Sequence, residues 1–569
     1  MTPHDLLANF ETLAEAPNGI QRLRELILEL AVRGKLVEQD PLGEPSSTLL
    51  ERIRLQGSNS GKLKKPGPKS KSPSATSEEG PFEIPSSWVW VRLKEVADYN
   101  GRPNLDPSEI GSDVWVLDLE DIEKDSSRIL QRLTNATRQS RSTKSLFCKG
   151  DVLYGKLRPY LNKVVVADQN GVCTTEIVPI VPAQGLDSGF LRLLLKRPGF
   201  LEYVNQLTYG VKMPRLGTSD AEESLHPLPP TNEQRRIIAR VDELMALLDR
   251  LEAKRQDREA ARTAARDSAL AALREAPTPE DVETAWLRIQ ERFHELFATP
   301  EDVEPLRQAI LQLAVRGRLV PQNPNDTNAS AALHKIQECR RQWIKSGKMR
   351  AGKPSPTISE AEIPFQSPEG WVFARLGEVL LDIRPGWSPQ CEGRPRVGGD
   401  WGVLKVSACS WGRFLPEENK ALPAGMEVPP DIEVQPGDWI ISRANTTELV
   451  GRSVLAYECP PHLLLSDKTL RLVPMPGFSP HWGNLVNHAP SSRAHYAAKA
   501  GGTSASMRNI SQDAIRGLVV AIPPTEEQER ILAKFENLMA LLDRLVAGFK
   551  SEHDLAGSFA AAAVHHLDV

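Results

Sequence analysis

The sequence predicts a mixed fold, α+β or α/β, in which two globular blocks are framed by long α-helices and the arrangement occurs twice. Three observations support this prediction. The octapeptide LAVRGKLV at 30–37 returns as LAVRGRLV at 313–320. Two segments with regularly spaced apolar residues begin at 229 and 523 and are close copies of each other. Between these elements lie short β-rich runs such as KVVVAD and DWIISRA, which Gly and Pro interrupt.

The internal repeat covers three pairs of segments, which occur in the same order in both halves: 23–41 with 306–324, 85–96 with 368–379, and 229–253 with 523–547. The first pair is identical at 13 of 19 positions and the third at 17 of 25. Between the second and third pairs the two halves barely resemble each other. The chain is therefore predicted to be two similar halves, each a variable block in a repeated helical frame. A solenoid is excluded, since it needs three or more short repeats.

The segments after 229 and 523 are predicted to be long helices. Thr231 precedes Gln234 by three residues, the spacing of a capping box, and Thr525 and Gln528 repeat it. Without Gly or Pro before Pro277, the first helix is predicted over 231–275, about 65 Å at 1.5 Å per residue. The apolar residues of each helix follow a heptad seam, which requires a partner helix: Ile237, Val241, Leu244, Leu248 and Leu251, and Ile531, Phe535, Leu538, Leu542 and Leu545.

The LAVRG segments are predicted to end shorter helices, with Gly34 and Gly317 as left-handed C-terminal caps. Their apolar residues share one face of each helix: Ile20, Leu23, Ile27 and Leu30, and Val303, Leu306, Ile310 and Leu313. These framing residues are interpreted as structural. The polar stretches 57–81 and 345–362 are rich in Ser, Pro and Lys, and we interpret their lysines as solvated linker charge rather than phosphate contacts.

Composition excludes several classes of protein. No apolar run approaches the length of a membrane span, and the first residues lack the pattern of a secretory signal. Six cysteines lie far apart without a CxxC pair, which argues against disulfides or a zinc site and favours the cytoplasm. The formal net charge is −4 in 569 residues, so any nucleic-acid binding must depend on local charge.

Catalytic motifs are missing from the sequence. We find no GxGxxG, HExxH or GxSxG pattern, and GSNSGKL at 57–63 is too short for a phosphate-binding loop. Asp118, Glu120 and Asp121 are interpreted as solvated surface rather than a metal site. The chain is therefore predicted not to be an enzyme on its own.

Local charge points to a phosphate backbone. Between Lys124 and Lys163 ten basic residues stand against Asp125 and Asp151, a net charge of +8. Such a patch suits nucleic acid, although a charge run alone is usually a solvated face.

The ordered set of motifs resembles the DNA-specificity subunit of type I restriction-modification systems over nearly the whole chain. It comprises the duplicated LAVRGKLV helices, the P..W.W.RL.EV openings, and PP..EQ..I before a heptad helix. KGDVLYGKLRPY (149–160) and PGDWIISRAN (436–445) are similar to the Gly-Asp turn-to-strand element of that family. GVKMPRL (210–216) and ASMRNI (505–510) are similar to the segment before its PLPP boundary, with Pro214 where the second half has Arg508.

The resemblance implies a non-catalytic subunit that recognises a bipartite, asymmetric site on double-stranded DNA. It implies an antiparallel coiled coil of the long helices, a pseudo-two-fold repeat, and docking of two copies of a DNA methyltransferase subunit and two restriction/translocase subunits. This chain is expected to bind no cofactor. S-adenosylmethionine is expected on the methyltransferase, which modifies adenine N6, and ATP and Mg on the nuclease. No membrane association is expected.

The implied DNA contacts are Lys156, Arg158, Lys212, Arg215, Arg443, Arg508 and Asn509. The implied regions are an N-terminal helical region 1–56 (repeated at 287–340), a basic linker 57–81, target-recognition domain 1 at 82–228, a central helical region 229–344, a basic linker 345–364, target-recognition domain 2 at 365–522, and a C-terminal coiled-coil helix 523–569. Two alternatives stay open: a coiled-coil scaffold whose blocks bind protein without any DNA role, and a self-contained nuclease with an unrecognised site.

Overall fold

The chain divides into two compact units, 1–258 with 554–569 and 259–553, and each unit holds one copy of the three repeated segments. The computed structural model describes residues 10–16, 18–40, 43–60, 80–207, 213–350, 355–410, 412–504 and 507–565. Helices and strands are mixed in both units, as the sequence predicts. In this described part of the chain, no helix has the length and apolar character needed to cross a membrane.

The first unit contains eight helices in its described residues and the start of a long one: Phe10–Glu15, Gly19–Val32, Ser46–Ser60, Leu93–Val96, Asn135–Arg138, Ser188–Lys196, Pro198–Leu207, Thr218–Glu222 and Thr231–Glu275. Its strands are β1 (Val89–Arg92), β2 (Ala97–Tyr99), β3 (Asn104–Leu105), β4 (Trp115–Leu117), β5 (Leu133–Thr134), β6 (Lys144–Phe147), β7 (Val152–Gly155), β8 (Val164–Val166), β9 (Gly171–Thr174), β10 (Ile177–Pro182) and β11 (Leu225–Leu228). They form three sheets, ordered β1-β11, β2-β10-β7-β8 and β3-β6-β9-β4-β5.

The second unit contains a similar set of helices and strands. Its helices are Pro279–Glu291, Phe293–Leu296, Pro300–Val315, Ala329–Lys345, Leu376–Val379, Pro480–Asn487, Pro490–Lys499, Gln512–Arg516 and most of Thr525–His565. Its strands are β12 (Val372–Arg375), β13 (Leu380–Pro385), β14 (Gly402–Leu404), β15 (Asn419–Ala421), β16 (Asp438–Ser442), β17 (Ala444–Asn445), β18 (Ser453–Ala456), β19 (Leu463–Leu464), β20 (Thr469–Pro474), β21 (Gly501–Ser504), β22 (Met507–Asn509) and β23 (Val519–Ile522). The sheets are β12-β23, β13-β20-β16-β18, β15-β14-β19 and β17-β22-β21.

The two variable blocks share part of their topology although their sequences differ, while their remaining sheets are one of five strands in the first block and two of three strands in the second. In each block the first and last strands pair antiparallel, Val89 with Leu228 and Val372 with Ile522. The four-stranded sheets also correspond, because β2-β10-β7-β8 and β13-β20-β16-β18 have the same order along the chain and across the sheet. The chain therefore enters and leaves each block on two adjacent strands, next to the helical frame.

The first long helix follows its predicted bounds, the second is Thr525–His565 within the predicted 523–569, and both have local partners. The first begins at Thr231 and ends at Glu275, as predicted. Within the first unit it lies antiparallel to the chain that contains Gly19–Val32, because Arg258 pairs with Glu15 before this helix at 3.1 Å and Arg24 within it pairs with Asp249 at 2.5 Å. Beyond the helix, Arg236 donates to Glu38 O at 3.0 Å. The heptad residues from Ile237 to Leu248 are buried in the core that this shorter helix shares.

The second unit uses the same arrangement. Arg307 within Pro300–Val315 pairs with Asp543 at 2.6 Å, and Asp326, in the loop that follows, pairs with Arg530 at 2.6 Å. The chain through this short helix therefore also runs antiparallel to the second long helix. The predicted apolar faces of both short helices are buried without exception. Each heptad seam therefore finds a partner in the LAVRG helix of its own half.

The glycines of the LAVRG segments cap their helices as predicted. Gly34 and Gly317 both have φ of +69°, and the amide that follows each glycine donates to a carbonyl five residues back, Lys35 to Leu30 and Arg318 to Leu313. This is the Schellman arrangement, which satisfies carbonyls that the helix end leaves free.

In each unit the three repeated segments contact one another at a tryptophan, Trp88 in the first unit and Trp371 in the second. A Cβ on Gly34 would lie 3.2 Å from Trp88, whose indole N–H donates to Glu233 Oε2 at 3.0 Å. A Cβ on Gly317 would lie 2.6 Å from Trp371, which donates to Glu527 Oε2 at 3.0 Å. Burial raises the pKa of both glutamates. The repeated sequence thus encodes one packing contact twice.

The predicted capping boxes are wrong. Thr231 lies in the first turn of its helix, and its hydroxyl donates to Gly185 O at 3.2 Å. The Gln234 side chain donates to Pro229 O at 3.0 Å, and Gln528 likewise donates to Pro523 O at 2.9 Å. The glutamines therefore hold the preceding double-proline turn rather than the free amides of the helix.

Candidate nucleic-acid interface

A Gly-Asp turn starts the central strand of the four-stranded sheet in the first unit. Gly150 has φ of +93°, a conformation that favours glycine. The Asp151 carboxylate is buried, accepts from Cys148 N at 2.8 Å, and receives two 2.8 Å hydrogen bonds from Arg102. These bonds raise the pKa of Arg102. Asp151 is therefore a structural residue that fixes where β7 begins.

The second unit contains the same turn before β16. Gly437 has φ of +90°, and Asp438 accepts from Gln435 N at 2.8 Å. Arg471 pairs with Asp438 at 2.7 Å and takes the role that Arg102 has in the first unit. The resemblance between 149–160 and 436–445 thus corresponds to one backbone conformation with one type of ion pair.

Beyond β7, the chain passes beside the segment that precedes the PLPP boundary. Lys156 N donates to Glu176 O at 3.0 Å, and Lys156 O accepts from Leu216 N at 3.1 Å. Leu157 and Arg215 form an antiparallel bridge. Arg158 N also donates to Pro214 O at 2.8 Å, so the fold brings three predicted site residues, Lys156, Arg158 and Arg215, onto two neighbouring stretches of backbone.

Beyond β16, the second unit makes the corresponding pairing. Ala444 pairs with Asn509 and Asn445 with Arg508 in the β17-β22 ladder. Arg443 N donates to Lys468 O, and Ile510 N donates to Arg443 O, both at 2.9 Å. By these hydrogen bonds Arg443 corresponds to Lys156, Asn509 to Arg215, and Lys468 to Glu176.

The matched positions carry different charges. In the first unit Arg215 makes two hydrogen bonds to the Glu176 carboxylate, at 3.0 and 3.1 Å. In the second unit the exposed Lys468 occupies the place of Glu176. Arg508 donates to Gly502 O at 2.8 Å. The first site thus combines three cations with one carboxylate, whereas the second has three cations.

Three of the predicted cations are available to a ligand. Arg158 is exposed, and Lys156 and Arg443 are half-buried. Within the residues that the structure describes, no side-chain hydrogen bond or ion pair engages Lys156, Arg158 or Arg443. Asn509 is exposed. Lys212, the remaining predicted contact, lies outside the described residues.

Sequence analysis missed Glu176 and Lys468. Each directly precedes the strand that pairs with β7 or β16, in TTEIVPIV and SDKTLRLVP. Aligning the two halves on these strands exposes the charge reversal, but their neighbours share too few residues for that alignment to be found without the ladders.

The basic run from Lys124 to Lys163 is not a continuous positive surface, which corrects the sequence interpretation. Arg138 pairs with Asp118 at 2.6 Å and with the fully buried Asp121, and Lys144 pairs with Asp118 at 2.9 Å. Asp121 is therefore not the solvated residue that the sequence indicated. Five of the ten basic residues form ion pairs: Lys124, Arg128, Arg132, Arg138 and Lys144. In the described part of the chain, no cluster of His, Cys, Asp or Glu could hold a metal ion.

The fold and these sites define a duplicated protein in which two blocks make corresponding backbone pairings that carry different polar side chains. The chain is 33% identical to the EcoEI type I restriction enzyme specificity subunit of Escherichia coli over 546 residues, covering 94% of this chain and 91% of that one. It is 37% identical to the EcoAI specificity subunit of the same organism over 372 residues, covering 63% and 62%. The chain therefore belongs to the family of type I restriction enzyme specificity subunits.

Solved structures give weaker similarities. A chain from a structure of the assembly and conformational transition of the type I R-M system has 19% identity and a TM-score of 0.47, with 86% of this chain and 99% of that chain covered. The HsdS subunit from Thermoanaerobacter tengcongensis has 20% identity and a TM-score of 0.41, with 86% and 98% covered. No protein-family model matches the sequence.

Proposed function

We propose that this chain is the DNA-recognition subunit of a type I restriction-modification complex and that each block recognises one half of a split, asymmetric duplex site. The observation that carries the proposal is the matched pairing beyond β7 and β16, in which corresponding backbone hydrogen bonds present different side chains in the two units. Two different half-sites require such a design, because phosphates position a protein while base contacts specify the sequence.

The repeated helical frames are proposed to dock two identical methyltransferase subunits and, through them, two restriction/translocase subunits. Near-identical frames suit identical partners, since pseudo-two-fold symmetry presents the same surface twice. The pairing of the two long helices with each other as an antiparallel coiled coil belongs to this proposal. Methylation of adenine N6 with S-adenosylmethionine, and translocation and cleavage with ATP and Mg, are assigned to those partners, in the cytoplasm.

Genome-wide mapping of methylated adenines tests this function. A host that carries the methyltransferase subunits should acquire a bipartite methylated motif only when this chain is co-expressed. The alternative, a coiled-coil scaffold that binds protein alone, is supported instead if no motif appears and if the assembled complex fails to shift mixed-sequence duplex DNA in electrophoresis.

Lys156→Ala and Arg443→Ala are expected to weaken DNA binding and to reduce the slope of log K against log salt by about one unit each. Each variant removes one cation that has no partner among the described side chains, so each should release about one fewer counterion. The measurement is a duplex-binding titration over a salt series with the full chain in its methyltransferase complex.

Arg128→Ala is the matched control for this experiment. Arg128 belongs to the same basic run but is paired with Glu123 at 3.2 Å, so its loss should leave the salt slope unchanged. Unchanged slopes in alanine variants of all seven predicted contacts would remove the surface from the interface: Lys156, Arg158, Lys212, Arg215, Arg443, Arg508 and Asn509.

An insertion in the first long helix is expected to lengthen the unrecognised gap between the half-sites. Four residues added near Ala261 extend the helix by about 6 Å, which corresponds to one or two base pairs at ~3.4 Å each. They also rotate the following residues by about 40°, so some affinity should be lost. Methylation mapping should show the longer gap with both half-site sequences unchanged.

A seven-residue insertion at the same point is the control for helix phase. It adds nearly two turns, keeps the heptad pattern, and should lengthen the gap by about three base pairs. Full activity on the original gap with either insertion would show that this helix does not set the spacing.

A further inference from the structure

Two exposed methionines occupy equivalent positions beside the two sites. Met213 and Met507 are 50% and 46% exposed. Each lies two residues before the residue that pairs across the ladder, Arg215 or Asn509, and three before a buried aliphatic residue. The pairing register thus agrees with the alignment of GVKMPRL and ASMRNI and identifies the two methionines as one position that occurs twice.

The local backbone directs these side chains outward. Along an extended strand, residues two apart share a face. Met507 and Asn509 are both exposed, whereas Arg508 between them is half-buried and bonded to Gly502 O. In the first unit Met213 is exposed while Leu216, which closes the segment, is buried. The strand pattern therefore places Met507 on the solvent side of β22, and Met213, in the bend before the Arg215 bridge, is similarly exposed.

The surroundings of each methionine are polar and basic. In the first unit Arg158 N donates to Pro214 O at 2.8 Å, directly after Met213, and Lys156 O accepts from Leu216 N. In the second unit Arg508 follows Met507 directly, and Arg443 O accepts from Ile510 N, three residues after Met507. A single exposed apolar residue needs no explanation. An unbranched thioether that recurs at matched positions, each time on a segment that bonds to a cation-bearing stretch of backbone, does need one, because cations that hold phosphates leave base edges to the neighbouring side chains.

We propose that Met213 and Met507 are specificity-determining residues, each contacting the 5-methyl group of a thymine in the half-site that its block recognises. This inference rests on the proposed function. The thymine methyl is the apolar group that base edges present in the major groove, and a flexible, polarisable methionine suits it.

The test compares methionine variants with thymine-to-uracil duplexes, since deoxyuridine lacks only the methyl group. The full chain in its methyltransferase complex is titrated with duplexes in which each thymine of the mapped site is replaced in turn. One replacement in each half-site should weaken binding roughly fivefold or more. Met213→Ala should weaken binding similarly and become insensitive to that one replacement, and Met507→Ala should do the same in the other half-site.

Further variants separate this contact from a structural effect. Met213→Leu and Met507→Leu should keep most of the affinity and the sensitivity to uracil, and none of these variants should change the salt slope because no charge is removed. Met426→Ala, at a 36% exposed methionine in the second unit, should bind like the parent. A variant that loses affinity equally on thymine and uracil duplexes at every position overturns the proposal.

The failure of this inference differs from failure of the proposed function. A parent complex without any sequence preference contradicts the function itself. A parent complex with a bipartite preference, but with no uracil replacement coupled to either methionine, contradicts only the methionine contacts.

Discussion

Gly317→Ala is expected to lower the free energy of unfolding of the second unit by about 2–5 kcal/mol. Alanine at a φ of +69° costs about 1–2 kcal/mol. Its Cβ would also lie 2.6 Å from Trp371 and 2.7 Å from Pro368, and such overpacking costs about 1–3 kcal/mol more. Urea unfolding followed by tryptophan fluorescence measures the change, because Trp371 lies at the contact.

Gly347→Ala separates the two contributions. Gly347 has a similar φ of +74°, but an added Cβ would meet no atom within 4 Å. This control should therefore lose only the conformational part, about 1–2 kcal/mol. Equal losses in the two variants would show that the packing of Gly317 against Pro368 and Trp371 contributes nothing to stability.

Exchange of residues 82–228 for the matching block of a relative is expected to change one half of the recognised site and to leave the other half and the gap intact. The exchange is feasible because β1 and β11, the two ends of the block, pair with each other. The exchange requires a relative that keeps the block's contacts with the frame, such as the Trp88 indole on Glu233 and the Gly185 carbonyl on Thr231. Methylation at the original sites should fall about 100-fold or more, since several mismatched base pairs each cost ~1 kcal/mol or more.

The reciprocal exchange of 365–522 is the control, and it should change only the opposite half-site. Its ends, β12 and β23, pair in the same way. Methylation mapping of both exchanges decides the outcome. If either exchange altered both half-sites, or neither, the blocks would not be independent recognition domains.

Much of the helical frame could be predicted from sequence. The bounds of Thr231–Glu275, the buried faces of the two LAVRG helices and the left-handed Gly34 and Gly317 agree with the structure. The capping boxes failed because Gln234 and Gln528 bond to proline carbonyls just before the helix, which spacing alone does not distinguish from capping.

The candidate site was predicted in part. The sequence identified the strand exits after the Gly-Asp turns and the segments before the proline boundaries, and the fold places them side by side in both units. Glu176 and Lys468 were missed because they precede β10 and β20, strands whose sequences differ between the two halves. Contact of these residues with DNA stays a prediction.

The sequence by itself determined the duplication, the helices and their glycine ends, because these depend on spacing along the chain and on backbone angles of single residues. Only the tertiary structure decided which cations remain available. The partners of Arg138 and Arg215, Asp118 and Glu176, stand 20 and 39 residues away. Charges neutralise one another according to their distance in space, not along the chain. Half of the basic residues from Lys124 to Lys163 therefore form ion pairs. Lys156, Arg158 and Arg443 have no such partner among the described residues.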